Sequence, residues 1–394
     1  RTGGVLAMKV RVKDIISLLE KHYPLNLAEE WDNVGLQVGS MGREVSKVVV
    51  ALELDHQVLD RAWQENADLI ITHHPLIFKA LPSIKVDSPV GSLIRKLIMA
   101  DISLYTAHTN LDNASRGVNQ LLAETIGLID IEPLPLRTAG HRESLYKLVV
   151  FVPLTHINEV REAVSRAGAG FIGKYSDCTF RATGIGTFKP GEDTDPFIGQ
   201  IGQLEEVEEA RLETICPQHL LKAVIDAMLQ AHPYEEVAYD LYKLENQGIM
   251  FSPGRKGNLP QAIPLGQLAE QVQIKLSLPA LRIVGEKNSL VQKVAVVSGS
   301  GASFINEIAG QADVLITGDL KYHEAREAAA LGLAVIDAGH QATEELVVQE
   351  VCQLLTKESS MAGWQVDYIP VYMTPAWTYL WGKDSDKQEP AGNM

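Results

Sequence analysis

Apolar runs alternate with amphipathic stretches along most of the chain. "KVVVALEL" (47–54) predicts a strand. "DHQVLDRAWQEN" (55–66) predicts a helix with Asp55 as its cap. "ADLIIT" (67–72) is a second strand, and "SPVGSLIRKLIMA" (88–100) is a helix with Ser88 before a first-turn proline. "ISLYTAH" (102–108) is a third strand. Near-continuous apolar strands separated by helices predict a mostly parallel sheet covered on both faces.

The same order returns late in the chain. "KVAVVSG" (293–299), "ADVLIT" (312–317) and "LAVIDAG" (333–339) read as strands. Helices are expected over 302–311, up to about Ala330, and over 343–358. "ADLIITHH" (67–74) matches "ADVLITGD" (312–319), and "HTNLD" (108–112) matches "HQATE" (340–344). In both later pairs a carboxylate follows a histidine by four positions. The fold class expected is therefore α/β, a duplicated α/β unit.

Between these halves the grammar changes. Strands are expected over 145–153 and 236–245, two more within 170–190, and helices over 155–168 and 218–232, around "EARLETICP" (209–217). That is a ferredoxin-like order with an extra strand. The domains expected are 8–138 and 249–382 for the two halves, 139–248 for an insert, and a frayed tail over 383–394. Met8 is read as the natural start.

Candidate chemistry collects at predicted strand ends: His73 and His74, His108 with Asp112, Asp319, and His340 with Glu344. Carboxyl ends of parallel strands form the ligand crevice of such sheets. Imidazole with carboxylate suits zinc, manganese, iron or cobalt. At a turn, adjacent histidines diverge and can serve different ions. His340 and Glu344, four apart, share one face of a first helical turn. The economical design puts His73 and His74 on separate ions, completed by Asp112 and His340, with Glu344 bridging. Five side chains leave open positions, as in catalytic sites. Each residue alone has an ordinary role as well: a hydrogen-bonded histidine, a turn-capping Asp112, a helix-favouring Glu344.

Composition narrows the classes. The chain has 394 residues, 46% of them hydrophobic, enough for a sizeable core. A net charge of -15 argues against a general nucleic-acid binder. No apolar run approaches a membrane span, and the start has no signal-peptide pattern. Cys178, Cys216 and Cys352 lie far apart, which fits a reducing cytoplasm and excludes a thiolate zinc site.

"EEWDNVGLQVG" (29–39), "THHPLIF" (72–78), "AHTNLD" (107–112), "TGDLKYHEA" (317–325) and "DAGHQATE" (337–344) together resemble the Nif-three-like dinuclear metal proteins, also named GTP cyclohydrolase I type 2 homologues. The resemblance implies a duplicated α/β fold around a two-metal cleft, with His73, His74, Asp112, His340 and Glu344 as ligands. It places His108 beside the metals, either supporting a ligand or facing substrate, and Asn33 near the cleft. It implies a PII- or CutA-like insert and a homohexamer. A cyclohydrolase would hydrolyse a ring carbon of GTP, yet the chain has no P-loop and no arginine-rich triphosphate clamp. "VSGSGAS" (297–303) is either an anion-holding turn or a plain tight one, and "RTAGHRES" (137–144), with His141, reads as a solvated linker. Two functions stand at this stage. One is a two-metal hydrolase of a nucleotide, phosphate ester or heterocycle. The other is a non-catalytic metal-binding ring whose insert senses a ligand.

Overall fold

Short runs of Val, Ile and Leu build two sheets in the part of the chain formed by residues up to Gly140 and from Phe251 onward. The structure is a computed structural model. It describes residues 9–379, with His141 described by its backbone only; Met8 and the tail expected over 383–394 lie outside the described residues. Numbered in chain order within this part, the strands are β1 (Gly35–Val38), β2 (Lys47–Ala51), β3 (Leu69–Thr72), β4 (Ser103–Thr106), β5 (Ile129–Pro133) and β6 (Arg255–Pro264). They continue with β7 (Arg282–Val284), β8 (Leu290–Val296), β9 (Val314–Thr317), β10 (Ala334–Asp337) and β11 (Asp367–Val371).

The first sheet has the order β1-β4-β3-β2-β11, with β4, β3, β2 and β11 parallel and β1 antiparallel at one edge. Every residue of β3 is buried because both faces are covered. Val48, Val50, Leu69 and Ile71 pack on the helices Val12–His22 and Leu346–Met361. Val49, Ile70 and Leu104 pack on His56–Gln64 and Pro89–Met99. Each such side chain contributes on the order of 1.5–3 kcal/mol through burial. The caps form as expected: Asp55 accepts from the Val58 amide at 2.7 Å, and Ser88 from Gly91 at 3.2 Å.

The second sheet, β7-β10-β9-β8-β6-β5, corrects the expectation of mostly parallel strands. Only its centre, β8 to β10, is parallel; β7, β6 and β5 pair antiparallel. The cause is local. A Cβ on Gly140 would strike the Phe251 carbonyl, so the chain leaves after β5 and re-enters before β6 at one point. Strands leading out of and back from one point must run opposite ways. The halves also exchange edges: β11 joins the first sheet beside β2, and β5 the second beside β6.

Residues His141–Met250 form the second unit. Its elements run strand Leu145–Pro153, helix Ile157–Arg166, strands Thr179–Phe188 and Glu205–Pro217, helix Leu221–Ala231 and strand Tyr239–Leu244. The four strands make one antiparallel sheet, with both helices packed through Val160, Val164, Val224 and Met228. One strand lies within 170–190 where two were expected. The glycine-flanked segment "GFIGKYSDC" supplies only an isolated bridge between Ile172 and Tyr175. Among the described residues, no helix is long and apolar enough to cross a membrane.

Because Gly140 and Phe251 adjoin, replacing His141–Met250 by a short glycine linker is expected to leave the first unit folded and its metal content unchanged. Circular dichroism melting and elemental analysis check this. A folded deletion protein that no longer bound metal would contradict it.

Candidate metal centre

The parallel strands of the two sheets end at one cleft of about 670 Å³ in the first unit. β3 ends at Thr72 and delivers His73 and His74. His73 is buried, and its Nδ1–H donates to the Ala107 carbonyl at 2.9 Å. That fixes the tautomer and leaves the Nε2 lone pair facing inward. Burial drives the His73 pKa down to about 3, so the ring is neutral at pH 7. His74 Nε2 lies 3.0 Å from Glu344 Oε2, and its Nδ1 lies 3.5 Å from Glu53. Burial opposes charge on this ring, but the carboxylates of Glu344 and Glu53 outweigh it and raise its pKa to about 10.

β4 leads to His108, the residue before the short helix Thr109–Asn113. The helix is held in place by Asn110 and Asn113, which donate to the carbonyls of Tyr23 and Leu27 at 2.7 and 2.8 Å. Asp112, on that helix, places Oδ1 3.5 Å from His73 Nε2. Burial lifts its carboxyl to about 7. His108 donates through Nδ1 to Asp32 at 2.9 Å. Asp32 also accepts from the Thr109 amide and hydroxyl. Burial alone would raise its pKa, but these bonds hold it at about 2.

β10 leads to the helix His340–Glu344. The helix expected over 343–358 is in fact two, His340–Glu344 and Leu346–Met361, broken at Glu345. His340 donates through Nδ1 to Asp319 at 2.7 Å, and its Nε2 lies 3.0 Å from Glu344 Oε2 and 3.4 Å from His74 Nε2. Hydrogen bonding to Glu344 raises the His340 pKa to about 9. Asp319 follows β9 in left-handed backbone, φ 54°, a conformation that Asp tolerates better than most residues. Glu344 is 5% exposed; burial alone would raise its pKa, but the surrounding imidazoles hold it far below the carboxylate range.

Two groups of ligand atoms converge here: His73, His74 and His108, and His74, His340 and Glu344. The separations fit an ion. Two ligands about 2.1 Å from a tetrahedral metal stand roughly 3.4 Å apart. His73 to Asp112 is 3.5 Å, and His74 to His340 is 3.4 Å. His73 Nε2 and Asp112 Oδ1 are buried and have no hydrogen-bond partner among the described residues. A ring lone pair and a carboxylate oxygen that face each other at this distance without a hydrogen bond suit a cation between them.

The strand-end signal reached Asp319, which orients His340, but not the partners of His108 and His74. Asp32 holds His108, while the neighbouring Asn33 turns away and donates to the Ile77 carbonyl. Glu53 sits beside His74; its one hint in the sequence is a lone carboxylate within "KVVVALEL". The turn "VSGSGAS" has three amides that are not free to hold an anion. Its amides at Ser298, Gly299 and Gly301 are taken by Asn119, Thr343 and Thr317.

Comparison with known proteins agrees over most of the chain. The family model for Duf34/NIF3 (NGG1p interacting factor 3) matches residues 10–375. A Halalkalibacterium halodurans protein named GTP cyclohydrolase 1 type 2 homolog is 45% identical over 344 residues, covering 87% of this chain and 91% of that protein. A Bacillus subtilis protein of the same name is 44% identical over 352 residues, covering 89% and 93%. The crystal structure of a Bacillus cereus protein related to NIF3 superposes with a TM-score of 0.88 at 44% identity, covering 95% of this chain and 100% of that one.

Proposed function

This chain belongs to the Duf34/NIF3 family, and from that premise we propose that it is a metal-dependent hydrolase holding two divalent ions side by side in the cleft. The observation that carries the proposal is the position of Glu344 between two sets of ligands. Its Oε1 lies 4.0 Å from His73 Nε2, which faces Asp112. Its Oε2 lies 3.0 Å from both His74 and His340. His73 and Asp112 would hold one ion and His74 and His340 the other, with Glu344 bridging. When bound, such ions supply Lewis-acid activation of water and neutralise negative charge on a substrate.

The chain's own residues do the rest. Glu53, Asp319 and Asp32 fix the outward nitrogens of His74, His340 and His108, so that each ring presents its other nitrogen to the cleft. His108 can hold or give a proton there as substrate changes charge. Trp31 and Phe78, with ring centroids 5.9 Å apart, offer an apolar wall at the mouth. The relatives' name points to a nucleotide. Among the described residues no Lys or Arg lines the cleft, which favours a heterocycle or a singly phosphorylated ester over a triphosphate.

A screen of nucleotides and phosphate esters with metal-replete protein tests this reading. Turnover is expected in the wild type and not in His74→Ala. Unchanged hydrolysis in His74→Ala would mean that the activity comes from elsewhere and would favour a non-catalytic metal-binding scaffold. His108→Ala and Asp32→Asn are expected to keep their metal and to lose rate, roughly 10²-fold or more for His108→Ala. Elemental analysis and hydrolysis rates measured on the same samples separate the two effects. Loss of metal in His108→Ala would make His108 a ligand.

A further inference from the structure

The second unit has a cavity of its own, and its lining is chemically one-sided. It measures about 400 Å³ and is walled by Phe151, Phe188, Pro196, Phe197, Ile198 and Tyr234. That is a size suited to a small ligand. The rings of Phe188 and Phe197 stand 5.9 and 6.3 Å from that of Tyr234. Into this apolar space the strand Glu205–Pro217 brings Glu209, which is 8% exposed.

Glu209 lines a neighbouring hollow with Arg211 but is not paired with it. Its Oε1 accepts from the Tyr234 hydroxyl at 3.0 Å. Among the described residues it forms no ion pair, and no Lys or Arg lines the cavity. Arg211, two positions further along the same strand, is engaged by Glu213 at 2.9 Å and lies over the Phe151 ring. A Cβ on Gly186 would collide with Glu209 Oε2, so the neighbouring strand leaves that carboxylate just enough room. The other carboxylates at the rim, Glu235 and Glu236, add to the negative potential. A buried carboxylate with one neutral hydrogen bond is costly to maintain. Aromatic faces attract cations, and a carboxylate takes an ammonium as a charge-assisted donor.

We propose that this cavity is a second binding site, separate from the metal cleft, that takes a small organic ammonium: a protonated amine on Glu209, with its apolar body against Phe188, Phe197 and Tyr234.

Three probes of one shape and different charge test this on the full chain: 2-phenylethylamine, the neutral 2-phenylethanol and the anionic 3-phenylpropanoate. Ligand-observed NMR titration is expected to rank the amine roughly tenfold or more above the alcohol, with the acid weakest. Glu209→Gln keeps the shape and removes the charge, and should bring the amine down to the level of the alcohol. Phe197→Ala, at a half-exposed position, should weaken amine and alcohol alike, and it decides the matter if Glu209→Gln does not fold. Chelator-treated protein should bind the amine as the wild type does, which separates this site from the metal cleft. No preference for the amine in the wild type would overturn the proposal. So would a preference that survives Glu209→Gln, amine binding untouched by Phe197→Ala, or a cavity closed to all three probes by a second copy of the chain.

Discussion

Glu344→Ala is expected to strip the centre of its metal while leaving the chain folded. Among the described residues Glu344 is the one carboxylate that faces both sets of ligands, so its loss removes a donor from each. Wild-type protein and the variant, purified in parallel without chelators, should differ by the whole metal content or nearly so. The pH behaviour should change as well. In the metal-free protein the carboxylates raise His74 to about 10 and His340 to about 9, so both rings carry protons at pH 7. These folded pKa values lie above the unfolded value of about 6.5, so the stability the pairs contribute is fully present below that pH. It is lost as pH rises through 9 and 10. Removing Glu344 should cut that contribution, and the melting temperature of metal-free Glu344→Ala should vary less between pH 7 and 10 than that of the wild type. A variant that kept two ions would contradict the bridging role.

Gly299→Ala should have an effect almost as large, and at a position that carries no chemistry. Gly299 sits at φ 61° with its α-carbon against the centre. An added Cβ would collide with Glu344 Oε1 and would stand 3.1 Å from Glu344 Cδ and 3.2 Å from His340 Nε2. The left-handed backbone costs an alanine about 1 kcal/mol. The Glu344 tip could swing away, but only by leaving His74 and His340, which pin it at 3.0 Å each. Melting should therefore show a modest loss, roughly 1–3 kcal/mol, while metal affinity falls by 10-fold or more. Metal titration beside thermal melting separates the two. Full metal affinity in Gly299→Ala would mean that Glu344 does not need its present position.

The sequence made the strand ends legible because an apolar run that stops at a histidine is a local signal, as at His73, His74, His108 and His340. Their convergence is visible only in the fold, where β3, β4, β9 and β10 end at one cleft. Of the residues that aim the rings, Asp319 was legible as a strand end beside His340, but Asp32 and Glu53 were not. Asp32 lies 76 positions from His108, and no period links them. Two adjacent polar residues at 32 and 33 point to different partners, and a pattern of residue types does not say which one faces the cleft. Strand exchange was hidden for a similar reason. Nothing local marks β11 as the neighbour of β2, since that pairing depends on where the last helix, Leu346–Met361, delivers the chain. The insert's strand at 145–153 announced itself by its apolar run, whereas the glycines around 170–173 imitated a turn between two strands.

The most direct test of the account is a calorimetric titration of the chelator-stripped full chain with manganese or zinc, repeated in buffers of different protonation enthalpy. Two equivalents per chain are expected. Protons should be released on binding, because His74 and His340 must give theirs up, and affinity should climb from pH 7 towards 9. Saturation at one equivalent, or binding without proton release at pH 7, would contradict a centre built around Glu344.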